Sequence, residues 1–191
     1  LTDPIGVPHI TSKDNNTAIE DVPYAQMYSA LDLNTSTAKL NWSLHSNAGW
    51  LNISKDGNLS GVPDNSDVGV YWVNVSVSDR AFSDSSNFTL NVLNVNDPPD
   101  ITTSDGTSAL EDALYSVDYD ASDIDPTGDV LSWTWGTNAS FLAFNDTNGL
   151  LSGTPLNQHV GSYWVNVTCR DDKGGKTSRN FSLTVININD L

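Results

Sequence analysis

Apolar and polar residues alternate in short runs along this chain, and no long stretch has helical periodicity. In 71–77, tyrosine and valine residues alternate with Trp72, Asn74 and Ser76, and the segment 163–170 repeats that alternation. A period of two with one polar face predicts strands that are buried on one face only. Because Gly, Asp, Asn and Pro residues separate the runs, we predict an all-β chain.

One unit of about 90 residues occurs twice in the sequence. The clearest matches are 8–11 with 99–102, 57–63 with 149–155, 68–75 with 160–167, and 94–97 with 187–190. The offset grows from 91 to 93 residues between the first match and the last, so two single-residue insertions separate the copies. We therefore predict two domains, 1–97 and 98–191, each a Greek-key β-sandwich of about seven strands.

The alternation also assigns the large side chains to the two faces of the predicted sheets. Trp42 and Trp133 have leucine neighbours two residues away and are predicted to fill the two cores. Cys169 lies on the inward phase, so we expect a buried thiol. As the single cysteine it cannot form an internal disulfide. Trp72 and Trp164 lie on the outward phase.

The charge of the chain is strongly one-sided. Twenty-four acidic and eight basic residues give a net charge of −16, and all but two of the acids are aspartates. The two glutamates, Glu20 and Glu111, occupy equivalent positions of the two repeats. Such a charge repels nucleic acids and anionic membranes and attracts cations, although it could also serve only to keep the surface solvated. No apolar run approaches the roughly 18 residues that a membrane span needs.

Three motifs carry a resemblance to a known family: the segments 56–63, 69–79 and 94–99. With them, the chain from about residue 8 to 190 resembles the cadherin-like superfamily, and within it the dystroglycan-type cadherin and putative-Ig repeats of bacterial and archaeal surface proteins. The resemblance implies tandem Ig-like or cadherin-like sandwiches on the outside of a cell or in its envelope. It also implies that the partners are neighbouring repeats of the same protein, or further copies of it.

The same resemblance implies calcium as a cofactor, since cadherin repeats bind it where they join. Carried over by position, the ligands at the joint between the repeats are Glu20, Asn96, Asp97, Asp123, Asp125 and Asp171. An N-terminal half-site comprises Asp32, Asn34 and Asp79, and a C-terminal half-site comprises Glu111, Asn189 and Asp190. These half-sites lead us to expect that the parent protein continues at both ends. The alternative is turn chemistry, in which Asp32, Asp79, Asp123 and Asp171 bond backbone groups.

Glycan acceptor motifs are unusually frequent. Asn-x-Ser/Thr occurs eleven times, and it is predicted to carry N-linked glycans at Asn15, Asn41, Asn52, Asn58, Asn74, Asn87, Asn138, Asn145, Asn166 and Asn180. The eleventh motif begins at Asn34, which the metal hypothesis also uses. Five of these asparagines fall on outward phases of predicted strands. Many acceptors without disulfides favour a glycosylated archaeal envelope protein.

Catalytic motifs are absent from the sequence. It contains neither G-x-S-x-G nor H-E-x-x-H, and His9, His45 and His159 lie far apart. We therefore predict a chain with no catalytic residues, a structural or adhesion module of a larger glycosylated surface protein. Two alternatives remain: a subunit of a self-assembling S-layer, sheath or surface filament, and a carbohydrate-binding accessory module of a secreted enzyme. In the second, Trp72 and Trp164 would stack on sugars.

Overall fold

The structure is a computed structural model that describes residues 6–33, 39–126 and 128–189. It divides the chain into two compact units, Leu1–Val95 and Asn96–Leu191. Strands dominate the described residues, which also contain 3₁₀ turns at Asn65–Asp67 and Asn157–His159. None of the helices in those ranges is long and apolar enough to cross a membrane. The all-β prediction is confirmed.

The first unit contains two facing sheets and a short additional strand pair. Its strands are β1 (His9–Ile10), β2 (Thr17–Ile19), β3 (Tyr24–Met27), β4 (Ala30–Leu31), β5 (Asn41–Ser46), β6 (Asn52–Ile53), β7 (Asn58–Gly61), β8 (Gly69–Ser78) and β9 (Ser83–Leu93). The larger sheet has the order β2-β9-β8-β5 and the smaller one β3-β7-β6, while β1 pairs with β4. Only β2 and β9 pair in parallel among these strands.

The second unit repeats this arrangement. Its strands are β10 (Asp100–Ile101), β11 (Ser108–Leu110), β12 (Tyr115–Asp118), β13 (Ala121–Ser122), β14 (Ser132–Thr137), β15 (Leu142–Asn145), β16 (Leu150–Gly153), β17 (Gly161–Arg170) and β18 (Lys176–Ile186). The sheets are β11-β18-β17-β14 and β12-β16-β15, with β10 paired to β13. In each unit seven strands form the two main sheets, which agrees with the predicted sandwich.

The predicted inward positions form the cores. Val73, Val75 and Leu90 are fully buried in the first unit. In the second unit, Cys169 is buried within the core, as predicted. Trp42 and Trp133 pack against the cores of their respective units. The burial of every second residue therefore accounts for the alternation in the sequence.

The duplicated glycine motif forms a tight approach of two backbones in both units. Gly57 has a φ of +85° and its equivalent Gly149 a φ of +75°, a region that side chains disfavour. A Cβ at Gly57 would also lie 2.9 Å from the carbonyl oxygen of Tyr28. Four residues later, a Cβ at Gly61 would lie 2.3 Å from the carbonyl oxygen of Trp50. Both glycines of the motif are therefore required by the packing of the smaller sheet.

Candidate metal centre

Three carboxylates converge in the second unit. One oxygen each from Asp123, Asp125 and Asp129 lies within 4.8 Å of the others, and we call these residues the acidic loop cluster. They lie in the loop between β13 and β14. Asp125 and the Asp129 carboxylate are buried. The sequence predicted a role for Asp123 and Asp125, and the structure brings the two together.

Asp129 was missed by the sequence analysis. It has no acidic counterpart in the first repeat, where the residue 91 positions earlier is Ala38. Nor does it belong to an alternating pattern, so only the conformation of the loop brings it to Asp123 and Asp125. The one available signal was the density of aspartates between residues 118 and 129.

The segment that opens the second unit is hydrogen-bonded to two predicted ligands. The Asp97 backbone N–H donates to Asp125 Oδ2 over 2.8 Å. The Asn96 side-chain amide donates to Asp171 Oδ2 over 3.1 Å. A Cβ at Gly175 would lie 2.1 Å from that same oxygen and 3.0 Å from Asn96 Nδ2. The glycine therefore leaves the space in which Asn96 meets Asp171.

Asp171 also closes its own turn. Its Oδ1 accepts the backbone N–H groups of Lys173, Gly174 and Gly175 over 2.8, 2.6 and 2.8 Å. This geometry is the one that the turn interpretation predicts. It occupies one carboxylate oxygen and leaves Oδ2 to Asn96. Turn chemistry and a binding role are therefore compatible at this residue.

Asp123 and Asp79 also use one carboxylate oxygen to accept backbone N–H groups of a turn. Asp123 Oδ1 accepts the Asp125 backbone N–H over 3.0 Å, while its Oδ2 is buried without a hydrogen-bond partner among the described residues. In the first unit, Asp79 Oδ1 accepts the N–H groups of Ala81 and Phe82 over 2.8 and 2.7 Å. Each of these aspartates thus bonds a turn through Oδ1, and Asp123 presents a buried second oxygen.

The electrostatics of the cluster reflect crowded negative charge. Burial raises the pKa of Asp123, and the carboxylates of Asp125, Asp129 and Asp171 raise it further, against the lowering effect of the Asp125 N–H. Burial also tends to raise the pKa of Asp171. The hydrogen bonds from the Asn96 amide and the turn N–H groups outweigh burial and hold this pKa below its usual value. The cluster therefore gains from any cation that reaches it.

One cation of the chain already lies near the cluster. Lys173 Nζ is 2.8 Å from Asp172 Oδ2 and 3.9 Å from Asp129 Oδ1. The hydrogen bond to Asp172 and the charges of Asp129 and Asp171 raise the pKa of Lys173. Its side chain remains about half exposed, so this ion pair neutralises the cluster only in part.

The donors fit a hard divalent cation. Calcium takes six to eight oxygen ligands, chiefly from carboxylates, backbone carbonyls and water, and it tolerates irregular geometry. The oxygens of Asp123, Asp125 and Asp129 are close enough to share one ion. Asp97 and Asp171 are tied to this region by the hydrogen bonds described above. Oxygen ligands alone argue against zinc and the softer metals.

The two glutamates have equivalent places in their own units. Glu20 is 1% exposed and its Oε1 accepts the backbone N–H of Val95. Glu111 is 0% exposed and its Oε1 accepts the backbone N–H of Ile188 over 2.5 Å and the Asn187 amide over 2.8 Å. Each glutamate therefore holds the backbone just beyond the last strand of its unit. This gives both a structural role, and their predicted role as ligands stays a prediction.

The two half-sites are described only in part. Asn34 and Asp190 lie outside the described residues, and Asn189 is exposed after the last strand. In the described portion of the first unit, Asp32 and Asp79 are not part of a three-carboxylate group like that of the second unit. The N-terminal and C-terminal half-sites stay predictions.

The acceptor asparagines predicted to carry glycans are accessible. None of the ten is buried, and seven of them are exposed: Asn15, Asn41, Asn52, Asn87, Asn138, Asn145 and Asn180. The outward tryptophans are also as predicted, with Trp72 46% and Trp164 54% exposed.

Solved structures with the same fold include cadherin extracellular domains. Drosophila N-cadherin EC1-4 matches with a TM-score of 0.57 and 20% identity over 96% of this chain and 50% of its own. Protocadherin Gamma B2 domains 1-5 match with a TM-score of 0.57 and 19% identity, covering 100% of this chain and 42% of that one. Mouse Cadherin-23 EC22-24 matches with a TM-score of 0.52 and 15% identity over 97% and 68%. These similarities concern the fold.

An endo-fucoidan hydrolase of glycoside hydrolase family 107 also matches, with 20% identity over 99% of this chain. This chain spans 30% of the length of that enzyme, and the TM-score of 0.43 is too low to support an inference about activity. No protein with a curated description matches the chain in sequence.

The sequence itself matches one family twice, at residues 7–93 and 98–186. The two matches coincide with the two sandwiches and together cover most of the chain. This protein therefore belongs to the family described as Putative Ig domain, of which it contains two tandem copies.

Proposed function

We propose that the chain is a non-enzymatic structural or adhesion module on the outside of a cell, and that its second repeat binds calcium at the acidic loop cluster. Tandem sandwiches of this kind contact mainly their neighbours in a chain, so their function lies on the loops and outer faces. The proposed partners are neighbouring repeats and further copies of the protein, and the proposed surface is N-glycosylated.

The convergence of Asp123, Asp125 and Asp129 is the observation that carries the calcium proposal. Three partly or fully buried carboxylates at this separation repel one another, and a chain with a net charge of −16 adds to the repulsion. Lys173 compensates one charge at 3.9 Å. A divalent ion at the cluster would supply two further positive charges and bind the buried Oδ2 of Asp123.

Calcium at this place would act on the opening segment of the second unit. Asp97 and Asn96 already bond Asp125 and Asp171. An ion held by the cluster would fix Asp125, and through it the Asp97 backbone. Pro98 and Pro99 follow at once and restrict the backbone of the same segment. The proposed consequence is a linker that stiffens when calcium binds.

Calorimetric titration of the two-repeat chain tests this proposal. Extracellular modules bind calcium at roughly 10⁻⁴–10⁻³ M, so the titration must reach millimolar concentrations. Asp125→Asn removes a charge but keeps the side-chain oxygen, and it should weaken binding at least several-fold while the sandwich still folds. Asp32→Asn, at the first-repeat position equivalent to Asp123, is the control for the loss of one negative charge and should leave the affinity nearly unchanged. Equal effects from the two substitutions would refute the calcium proposal. Absence of binding heat with the unsubstituted chain would refute it as well.

A further inference from the structure

The larger sheet of each unit has an outer face without acidic side chains. On β8 and β9 of the first unit, the outward positions carry serine, threonine, asparagine, Trp72 and apolar residues. The equivalent positions of β17 and β18 carry the same types, and Arg170 and Lys176 pair at one end. The neighbouring strands β5 and β14 add no acid to these faces. No acidic residue of the described ranges lies on these faces, so they suit an uncharged, hydroxyl-rich ligand.

An exposed tryptophan lies on each of these faces. In the second unit, a Cβ at Gly136 would be 3.4 Å from Cη2 and Cζ3 of Trp164, so the indole lies across strand β14. In the first unit, the equivalent residue is His45, whose ring meets Trp72 edge-on with centroids 4.8 Å apart. Half of each indole surface is still open to solvent. Open indole on a polar face without acidic side chains is a surface on which sugar rings can stack.

Each tryptophan is followed, two residues later on the same face, by a glycan acceptor. The sequences are Trp72-Val-Asn74-Val-Ser and Trp164-Val-Asn166-Val-Thr. Residues two apart in a strand are separated by about 7 Å, so the indole and the acceptor amide are direct neighbours. The hydroxyl of each motif donates to the acceptor amide oxygen, Ser76 over 2.9 Å and Thr168 over 3.2 Å.

The acceptor nitrogens are oriented in the same way in both units. Asn74 Nδ2 donates to Asn87 Oδ1 over 2.7 Å, and Asn166 Nδ2 donates to Asn180 Oδ1 over 2.8 Å. An amide nitrogen carries two hydrogens, and this bond uses one. A sugar can replace the other without breaking the cross-strand bond. Glycosylation at Asn74 and Asn166 is therefore compatible with the folded sheet.

We propose that the first sugar of an N-glycan on Asn166 packs against Trp164, and that the same pairing joins Asn74 to Trp72. The inference rests on the proposed glycosylation of the surface and deepens it. The glycan donor is a lipid-linked sugar phosphate supplied by the glycosylation enzymes of the cell. The Nδ2–C1 bond forms as the C1–O bond to phosphate breaks, the electron pair leaves with the phosphate, and the amide proton passes to the enzyme.

A separate polysaccharide is the competing occupant of these faces. The lack of acidic side chains and the open indole would suit it equally well. An external polysaccharide would need the tryptophan but not the acceptor motif. Both repeats keep that motif beside the tryptophan, with the same hydroxyl and amide hydrogen bonds. The observations therefore favour the glycan of the chain itself.

A double-mutant cycle tests the pairing in protein secreted by a host that attaches N-glycans. The variants are Asn166→Gln, Trp164→Leu and their combination, and glycopeptide mass spectrometry first establishes occupancy. We expect Asn166→Gln to lower the melting temperature of the second unit by a few degrees, and by clearly less when Trp164 is already leucine. The same cycle is repeated in unglycosylated protein. It measures how much destabilisation comes from losing the Asn166–Asn180 hydrogen bond alone, and this amount is subtracted.

Asn145→Gln is the matched control because Asn145 is an exposed acceptor on the smaller sheet of the same unit. It should show no glycan-dependent coupling to Trp164. An occupied Asn166 without coupling, or glycans that avoid both Asn74 and Asn166, would overturn the pairing and leave the glycosylated surface intact. Bare asparagine at every acceptor would overturn both. Binding of unglycosylated protein to an immobilised neutral polysaccharide, lost in Trp164→Leu, would assign the face to an external glycan instead.

Discussion

The turn after β8 and the turn after β17 begin with equivalent aspartates but have different surroundings. Asp79 closes a turn to Phe82, whereas Asp171 closes one that is a residue longer and ends at Gly175. Both carboxylates bond backbone N–H groups through Oδ1. In the second unit, Gly175 leaves the space in which Asn96 reaches the second carboxylate oxygen of Asp171. The inserted residue and the glycine thus turn a capping aspartate into one that also contacts the opening segment of its unit.

The loops before β5 and β14 differ in charge. The second unit carries the acidic loop cluster, while the first has asparagine and alanine in place of Asp125 and Asp129. The buried strands of the two units, in contrast, keep the same topology and alternation. Duplication has therefore preserved the cores and allowed the loops to diverge, because loop positions accept changes that packed positions do not.

The largest expected effect comes from equivalent core leucines. Leu59 and Leu151 are fully buried, and replacing either with alanine should cost about 2–5 kcal/mol through lost burial and a residual cavity. Each variant should lower the melting transition of its own unit. Differential scanning calorimetry measures this and assigns the two transitions. If both variants shift one common transition equally, the units do not unfold independently and the comparison between them cannot be made by melting.

The next largest expected effect is that calcium stabilises the second unit and leaves the stability of the first unchanged. If the ion binds only the folded second unit, a 100-fold excess over the dissociation constant adds about 2.7 kcal/mol to the stability of that unit. The transition lowered by Leu151→Ala should rise with calcium and fall with chelator, and the one lowered by Leu59→Ala should stay. The measurement is calorimetry with millimolar calcium or EDTA. A shift of the first transition alone would contradict the assignment of the site.

A smaller difference concerns how each unit holds its first strand. In the first unit the Ile10 N–H donates to Asp84 Oδ2 over 2.8 Å, whereas in the second Arg179 donates to the Ile101 carbonyl over 2.8 Å. Arg179→Ala should destabilise the second unit by about 1–3 kcal/mol, since the bond is to a charged donor. Urea unfolding checks this, with Arg170→Ala, an exposed arginine of the same sheet, as the control. Equal losses would show that Arg179 contributes only as surface charge.

Lys173 gives the smallest and most specific test. Its amine is half exposed, so solvent weakens its interaction with the cluster. Lys173→Gln should therefore raise calcium affinity up to about fivefold, because a competing charge has gone. Lys55→Gln in the first unit changes the net charge equally and is the control. If both raise the affinity alike, the effect comes from net charge and not from the neighbourhood of Asp129.

Much of the candidate site was visible in the sequence, because the repeat and the resemblance pointed to Asp123, Asp125 and Asp171. Asp129 was not, since it has no acidic counterpart in the first repeat. The hydrogen bonds that the glutamates make could also not be predicted from the sequence. Their scarcity suggested a specific role, but the bond from Glu111 to the Ile188 backbone joins residues 77 positions apart.

The sequence by itself determined that this protein is two copies of a β-sandwich. A strand with one buried face requires apolar residues at every second position, and the same pattern occurs in both repeats. Only the tertiary structure decided which aspartates meet. Loop residues such as Asp129 obey no period, and their positions depend on turns that are fixed by hydrogen bonds and by the space that glycines such as Gly175 leave.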